Sequence, residues 1–225
     1  MLVAVLQARM SSSRLPGKVM RPVLGVPMIG RQIERLKRAR AIDRLVVATS
    51  TEDSDAPLAE YVTGLNVEVY RGALQDVLDR FRGAADAYGA TNVMRLTADC
   101  PLADWQVIDE CAELHQRSGA DYTSNIVERS YPDGLDVEII TRSALETAWR
   151  EAPDGPEREH VTPFIYRRPE RFSLAHLVQD PNLAHVRWTV DTAEDFAFVE
   201  AVYEALYQAK PDFTTADIHR WESAR

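Results

Sequence analysis

Three cations crowd one short loop near the start of the chain. Residues 5–20 read VLQARMSSSRLPGKVM, an apolar run that turns at once into a loop carrying Arg9, Arg14 and Lys18. The hydroxyls of Ser11, Ser12 and Ser13 stand among them, and Gly17 leaves backbone amides free. Arginine grips phosphate oxygens through a planar fork and lysine adds a mobile point charge, so the set suits a polyphosphate. The same spacing also describes a loop whose cations sit in water. It is not a Walker A loop, because Ser12 occupies the place of the first glycine and Val19 follows Lys18; a G-x-G-x-x-G turn is absent too.

Two carboxylates sharpen the choice. Asp99 follows the apolar run NVMRLTA, and Asp191 follows HVRWTV. Strand ends of an open parallel sheet empty into the ligand crevice, where two hard oxygen donors suit a magnesium ion that carries a triphosphate. Either Asp alone reads equally as a helix cap or a turn residue. Joined to the cationic loop, the pair favours a nucleotide and Mg²⁺.

Candidates for a second substrate lie further on. In YPDGLDVEI, Asp136 and Glu138 are two apart, so on a strand they share a face, and Gly134 lets backbone come close to a ligand. They suit a ligand that donates hydrogen bonds, or else a solvated edge strand. Glu159 and His160 stand on a short expected helix, where a lone His is more often structural than catalytic. Arg95 lies inside a strand, where pairing with a carboxylate is the plain explanation, and Arg129 has no assigned role. Cys100 sits beside Asp99, but no base accompanies it to make a nucleophile.

These residues require a scaffold of alternating strands and helices. Strands are expected at LVAVL, RLVVATS, NVEVYR, NVMRLTA, DYTSN, the end of YPDGLDVEIIT, RFSLAHLVQ and AHVRWTV. Helices are expected across PMIGRQIERLKRAR, DAPLAEYV, ALQDVLDRFRGAADAYG with Leu74 on its inner face, DWQVIDECAELHQRSG ending at Gly119, RSALETAWREA and AEDFAFVEAVYEALYQA. That is an α/β fold, Rossmann-like, with a mostly parallel sheet covered by helices on both faces. No repeat or long linker divides it, so residues 1–225 are expected to form a single domain.

Composition narrows the partners. With 26 Lys and Arg against 35 Asp and Glu the net charge is −9, which opposes a nucleic acid or an anionic membrane. Cys100 and Cys111 are the two cysteines, without zinc spacing or a disulfide framework. The start MLVAVL has no basic leader, and no apolar run approaches the roughly 18 residues of a membrane span. The expectation is a cytoplasmic protein.

QARMSSSRLPGKVM, LTADCPL and TVDTAEDF together resemble the sugar cytidylyltransferases, the group of the 3-deoxy-manno-octulosonate and acylneuraminate enzymes. DGLDVEI and EREHVTPFIY are similar to the spore-coat polysaccharide biosynthesis protein F subgroup. The resemblance implies a nucleotidyltransferase of glycosyltransferase-A-like fold. It would move CMP from CTP to a sugar hydroxyl, of an acidic keto-sugar, release pyrophosphate, and serve surface glycan assembly as a homodimer. By matching position, Ala8, Arg9, Ser11, Ser12, Ser13, Arg14 and Lys18 would hold the nucleotide and Asp99 and Asp191 the Mg²⁺. Lys18, Arg14, Asp99 and Asp191 would be catalytic, with Asp136, Glu138, Glu159 and His160 toward the substrate. Gln7 departs from the Ile-Pro that many of those enzymes carry before the Ala-Arg pair. Two rivals are a glycosyltransferase of related fold, whose Asp-x-Asp motif is missing at Asp99-Cys100-Pro101, and a nucleotide-binding protein without turnover.

Overall fold

Every second residue of the first strand points to a different hydrophobic layer. In β1 (Leu2–Gln7), Val3 and Val5 face one core and Ala4 and Leu6 the other, all of them fully buried. A strand covered on both faces has no polar side, which is why LVAVL reads as a continuous apolar run. The computed structural model describes residues 1–12 and 14–224.

After β1 come a small hairpin, β2 (Pro22–Val23) and β3 (Val26–Pro27), and helix α1 (Met28–Leu36). Leu24 and Gly25 both take positive φ, 47° and 76°, as a two-residue hairpin turn of this hand requires. The chain continues through β4 (Arg44–Ser50), α2 (Ala56–Gly64), β5 (Glu68–Gly72), α3 (Val77–Ala87), β6 (Asn92–Thr97) and α4 (Trp105–Ser118). Next are β7 (Tyr122–Ser124), β8 (Glu138–Thr141), α5 (Arg142–Glu151), α6 (Pro156–His160) and α7 (Pro163–Tyr166). It closes with β9 (Leu174–His176), α8 (Ala193–Leu206) and α9 (Thr215–Ser223).

Seven strands form one sheet in the order β5-β4-β1-β6-β8-β7-β9. The first four run parallel; β8 is antiparallel to both β6 and β7, and β9 is parallel to β7. One core packs α1, α2, α4, α8 and α9 on one face, and a second packs α3, α5 and α7 on the other. The expected α/β sheet with helices on both faces is therefore present. Burying each large aliphatic side chain of these layers contributes about 1.5–3 kcal/mol. Among the described residues no helix is long and apolar enough to cross a membrane.

Three expectations need correction. AHVRWTV is not a sheet strand: beyond an isolated bridge from Asp133 to Arg187, its backbone bonds go to loops, Trp188 N to Asp133 O at 2.6 Å and Val190 N to Asp99 O at 2.8 Å. Leu74 precedes α3, which starts only at Val77, after Asp76 caps it by accepting from Asp79 N. Helix α9 was not expected. Its Thr214–Asp217 capping box is a start signal legible in TTAD, and Asp104 ties its first turn to α4 by accepting from Thr215 N and Oγ1.

Candidate functional site

The cationic loop leaves the carboxyl end of β1 and is pinned at its start. Ala8 N donates to Ala48 O of β4, and Met10 N donates to the Asp55 carboxylate at 2.7 Å. Asp55 is 1% exposed and also accepts from Ser50 N and Oγ. Burial pushes its carboxyl upward, but the Ser50 and Met10 donors outweigh that and hold it below the ordinary value. The loop then folds on itself, with Ser12 N and Gly17 N both donating to Met10 O. Gly17 takes φ 68° and starts a 3₁₀ turn at Lys18, which aims the lysine inward and leaves it 8% exposed.

Lys18 is where the site converges. Its ammonium donates to Val190 O at 2.6 Å and to Asp191 Oδ1 at 3.1 Å, and it stands 3.6 Å from Asp99 Oδ2. Asp191 Oδ1 also meets Arg14 at 2.9 Å, and Asp191 Oδ2 meets Arg187 at 2.7 Å. Two carboxylates from separate loops thus close on one buried cation, as expected for Asp99 beyond β6. Asp191 arrives on the extended segment corrected above.

Two clefts open from this point. One, of about 310 Å³, is lined by Ala8, Arg9, Ser11, Ser12, Arg14, Lys18, Asp99, Asp191, Glu159 and His160, with Gln7, Val77 and Arg95 among its other walls. The other, of about 240 Å³, is lined by Asp133, Asp136, Glu138, Cys100 and Thr189. Arg95, Thr97, Asp99 and Asp191 line both and form the wall between them. Ser13 lies outside the described residues. Glu159 and His160 join the first cleft, not the one that holds Asp136 and Glu138. They arrive there because Arg158 anchors α6, donating to Asp76 Oδ2 at 2.8 Å and to Trp149 O at 2.9 Å. The next residue, Val161, is fully buried at φ 71°, a strained conformation for a β-branched side chain.

Carboxylates and cations pair throughout the second cleft. Antiparallel register sets Arg95 directly opposite Glu138, and the two form an ion pair. Tyr122 donates to the other Glu138 oxygen at 2.6 Å, and Glu138 is 1% exposed. Burial alone would lower Arg95, but the Glu138 carboxylate more than offsets it and keeps the guanidinium charged. Arg95 Nε remains without a partner. Asp136 receives both prongs of Arg129, at 2.7 and 2.9 Å. Burial, then the charge of Asp99, push the Cys100 thiol well up, so it stays protonated and is no nucleophile.

Among the described residues no three His, Cys, Asp or Glu side chains gather as a metal cage. Asp99 and Asp191 still fit a hard cation, because Mg²⁺ takes one or two carboxylates and completes its shell with substrate phosphates and water.

Sequence reasoning missed several contributors. Asp55 and Arg158 hold the loops that carry candidate residues, Asp133 borders the second cleft, and Arg187 stands behind Asp191. Behind Arg9, fully buried Arg80 donates to Ala73 O, and burial with the charge of Arg9 lowers it to about 10. Their contacts run from 4 positions apart, Arg187 with Asp191, to 82, Arg158 with Asp76, and no local pattern marks them.

The family model described as Cytidylyltransferase matches residues 3–214. Over 224 residues the chain is 30% identical to the spore coat polysaccharide biosynthesis protein SpsF of Bacillus subtilis, covering 96% of this chain and 92% of that protein. It is 37% identical over 175 residues to the 3-deoxy-manno-octulosonate cytidylyltransferase of Syntrophobacter fumaroxidans, covering 69% and 68%. A solved cytidylyltransferase of Leptospira borgpetersenii superposes with a TM-score of 0.93 at 30% identity, over 99% of this chain and 94% of that one. CMP:2-keto-3-deoxy-manno-octonic acid synthetase in complex with CTP shares the fold, with a TM-score of 0.67 at 16% identity over 90% and 98%.

Proposed function

The chain belongs to the cytidylyltransferase family, and from that premise we propose that it transfers CMP from CTP to a sugar hydroxyl and releases pyrophosphate. The observation that carries the reading is Lys18 in the first cleft, held between Asp99 and Asp191, two residues of the wall that both clefts share. One cleft takes the triphosphate and the other the acceptor, so the wall falls where an oxygen must attack the α-phosphorus in line with the departing pyrophosphate.

Arg9, Arg14, Lys18, Ser11, Ser12 and Ser13, with the backbone of Ala8, hold the triphosphate in this reading. Arg14 and Lys18 offset the charge that builds on pyrophosphate as the new phosphorus–oxygen bond forms and the old one breaks. Asp99 and Asp191 hold Mg²⁺. When bound, the ion supplies positive charge for the α-phosphate and makes the acceptor hydroxyl more acidic. Glu159 and His160 close the nucleotide side. Asp136 and Glu138 shape the acceptor side, where Glu138 holds Arg95 in place.

The acceptor proposed is an acidic keto-sugar. Support comes from the 3-deoxy-manno-octulosonate cytidylyltransferase relative. The SpsF relative supports a place in surface polysaccharide assembly. Residues 1–225 are proposed to act as one catalytic domain, in a cytoplasmic homodimer. A monomeric mass by light scattering at working concentration would remove the dimer from this proposal.

Pyrophosphate release tests the reading, with CTP, UTP, ATP and GTP set against 2-keto-3-deoxy acids and hexoses in Mg²⁺. Release with CTP and one acceptor class is expected, reduced about 100- to 1000-fold in Asp99→Asn and Asp191→Asn. Absence of release together with no CTP-induced rise in melting temperature would overturn it.

A further inference from the structure

Three cations touch Asp191, and they differ in where they stand. Arg14 and Lys18 reach its Oδ1 and line the nucleotide cleft. Arg187 reaches Oδ2 from behind and lines neither cleft. A bound triphosphate draws Arg14 and Lys18 to its own oxygens and uncovers Oδ1. Arg187 has no such competitor and keeps Oδ2.

Its other contacts fix the arginine. Arg187 NH1 pairs with Asp195 Oδ1 at 2.7 Å, while Asp195 Oδ2 accepts from Asp191 N and Thr192 N, both at 2.8 Å. The guanidinium fork thus binds the Asp191 carboxylate with one prong and, through Asp195, the Asp191 backbone with the other. Its Nε stands 3.7 Å from Asp133 in the acceptor loop. That loop is itself joined to the segment, Asp133 N donating to Val186 O and Trp188 N to Asp133 O.

We infer that Arg187 is a positioning residue that orients the Asp191 carboxylate toward the divalent metal and ties that orientation to the acceptor loop. The inference rests on the reading of Asp191 given under Proposed function. A planar fork serves two partners at once, which a single ammonium cannot reproduce. Groups that hold a metal ligand in place typically govern metal affinity about 10- to 100-fold.

Mn²⁺ binding to the full-length protein saturated with CTP, followed by electron paramagnetic resonance, tests this without knowledge of the acceptor. In Arg187→Gln the Mn²⁺ half-saturation point is expected to rise about 10- to 100-fold, and in Arg187→Lys by less. The CTP-induced rise in melting temperature without metal should stay at the wild-type value, because Arg9, Arg14 and Lys18 are untouched. A role confined to structure would lower the unliganded melting temperature and leave the Mn²⁺ titration where it was. Folded Arg187→Gln with a wild-type Mn²⁺ titration overturns the inference, and if that variant does not fold, the same result in Arg187→Lys does so. A wild-type CTP complex that takes no Mn²⁺ removes the preceding reading and this one together.

Discussion

The nucleotide cleft and the acceptor cleft share a wall but are built in opposite ways. On the nucleotide side most of the charge comes from residues 9–18, a single loop closed by its own backbone bonds to Met10 O. Arg9 there pairs with no carboxylate among the described residues, and Arg14 keeps a 63% exposed side chain. On the acceptor side Arg95 is held by Glu138 from β8 and Arg129 by Asp136 of its own loop, with Arg187 behind them held by Asp191 and Asp195. Arg9, left without a carboxylate, and the exposed Arg14 can turn to an anionic ligand, whereas the paired cations of the acceptor side act as struts. The first arrangement binds through charge, and the second through the shape that its ion pairs maintain.

Gly134→Ala would break this contrast most forcefully. A Cβ there would lie 2.7 Å from Trp188 C and 2.8 Å from Thr189 N, and the residue has φ 115°. Strain of about 1–3 kcal/mol is expected from the backbone alone, with further displacement of the segment that carries Asp191. Turnover should fall at least tenfold while CTP still raises the melting temperature. A variant with wild-type acceptor kinetics would show that the acceptor cleft is not held by shape.

Asp55→Asn addresses the other side. Loss of the charged acceptor for Met10 N and Ser50 should cost about 1.5–3 kcal/mol and raise KM for CTP, with KM for the acceptor unmoved. Because the folded carboxyl lies below its ordinary value of 3.8, its stabilisation is complete above that pH and is lost as pH falls through the lower folded value. Denaturant titrations from pH 6 downward should therefore show wild type and variant converging in acid.

Asp217→Asn should leave both clefts alone. Burial raises the Asp217 carboxyl, but hydrogen bonds from Lys210 and Thr214 bring it down to about 2. Their stabilisation, about 1 kcal/mol after solvent screening of a half-exposed lysine, is present above pH 3.8 and disappears toward pH 2. Wild-type kinetics with a small loss of melting temperature at neutral pH is the expected result. A change in either KM would tie α9 to the site.

The same contrast explains what could be read from the sequence. The nucleotide loop was legible because its members are neighbours in the chain, and Asp99 because a strong apolar strand precedes it. The helices came through their buried faces, Ile29, Ile33 and Leu36 in α1 being one instance. Strand direction did not: a period of two marks a strand without saying which way it runs, so the reversal of β8 was invisible. The partnership of Arg95 with Glu138 depends on that reversal and its register. Segment 184–190 has the apolar content of a strand, but its hydrogen bonds go to loops that only the tertiary fold brings near.

That reversal changes which pieces of chain face the two reactants. On the proposed reading the loop after β1 serves the nucleotide and the loop after β6 faces both clefts, while β8 enters the sheet backwards, so Asp133 and Asp136 reach the acceptor cleft on chain that precedes a strand. On that reading, changes within residues 126–134 that keep Asp133 and Gly134, the contacts to the Asp191 segment, would reshape what the protein accepts and leave the cradle of residues 9–18 in place. If the proposed reading holds, the fold separates a fixed reagent from an exchangeable one, and a single scaffold could be retuned for new acceptors by editing one stretch of loop.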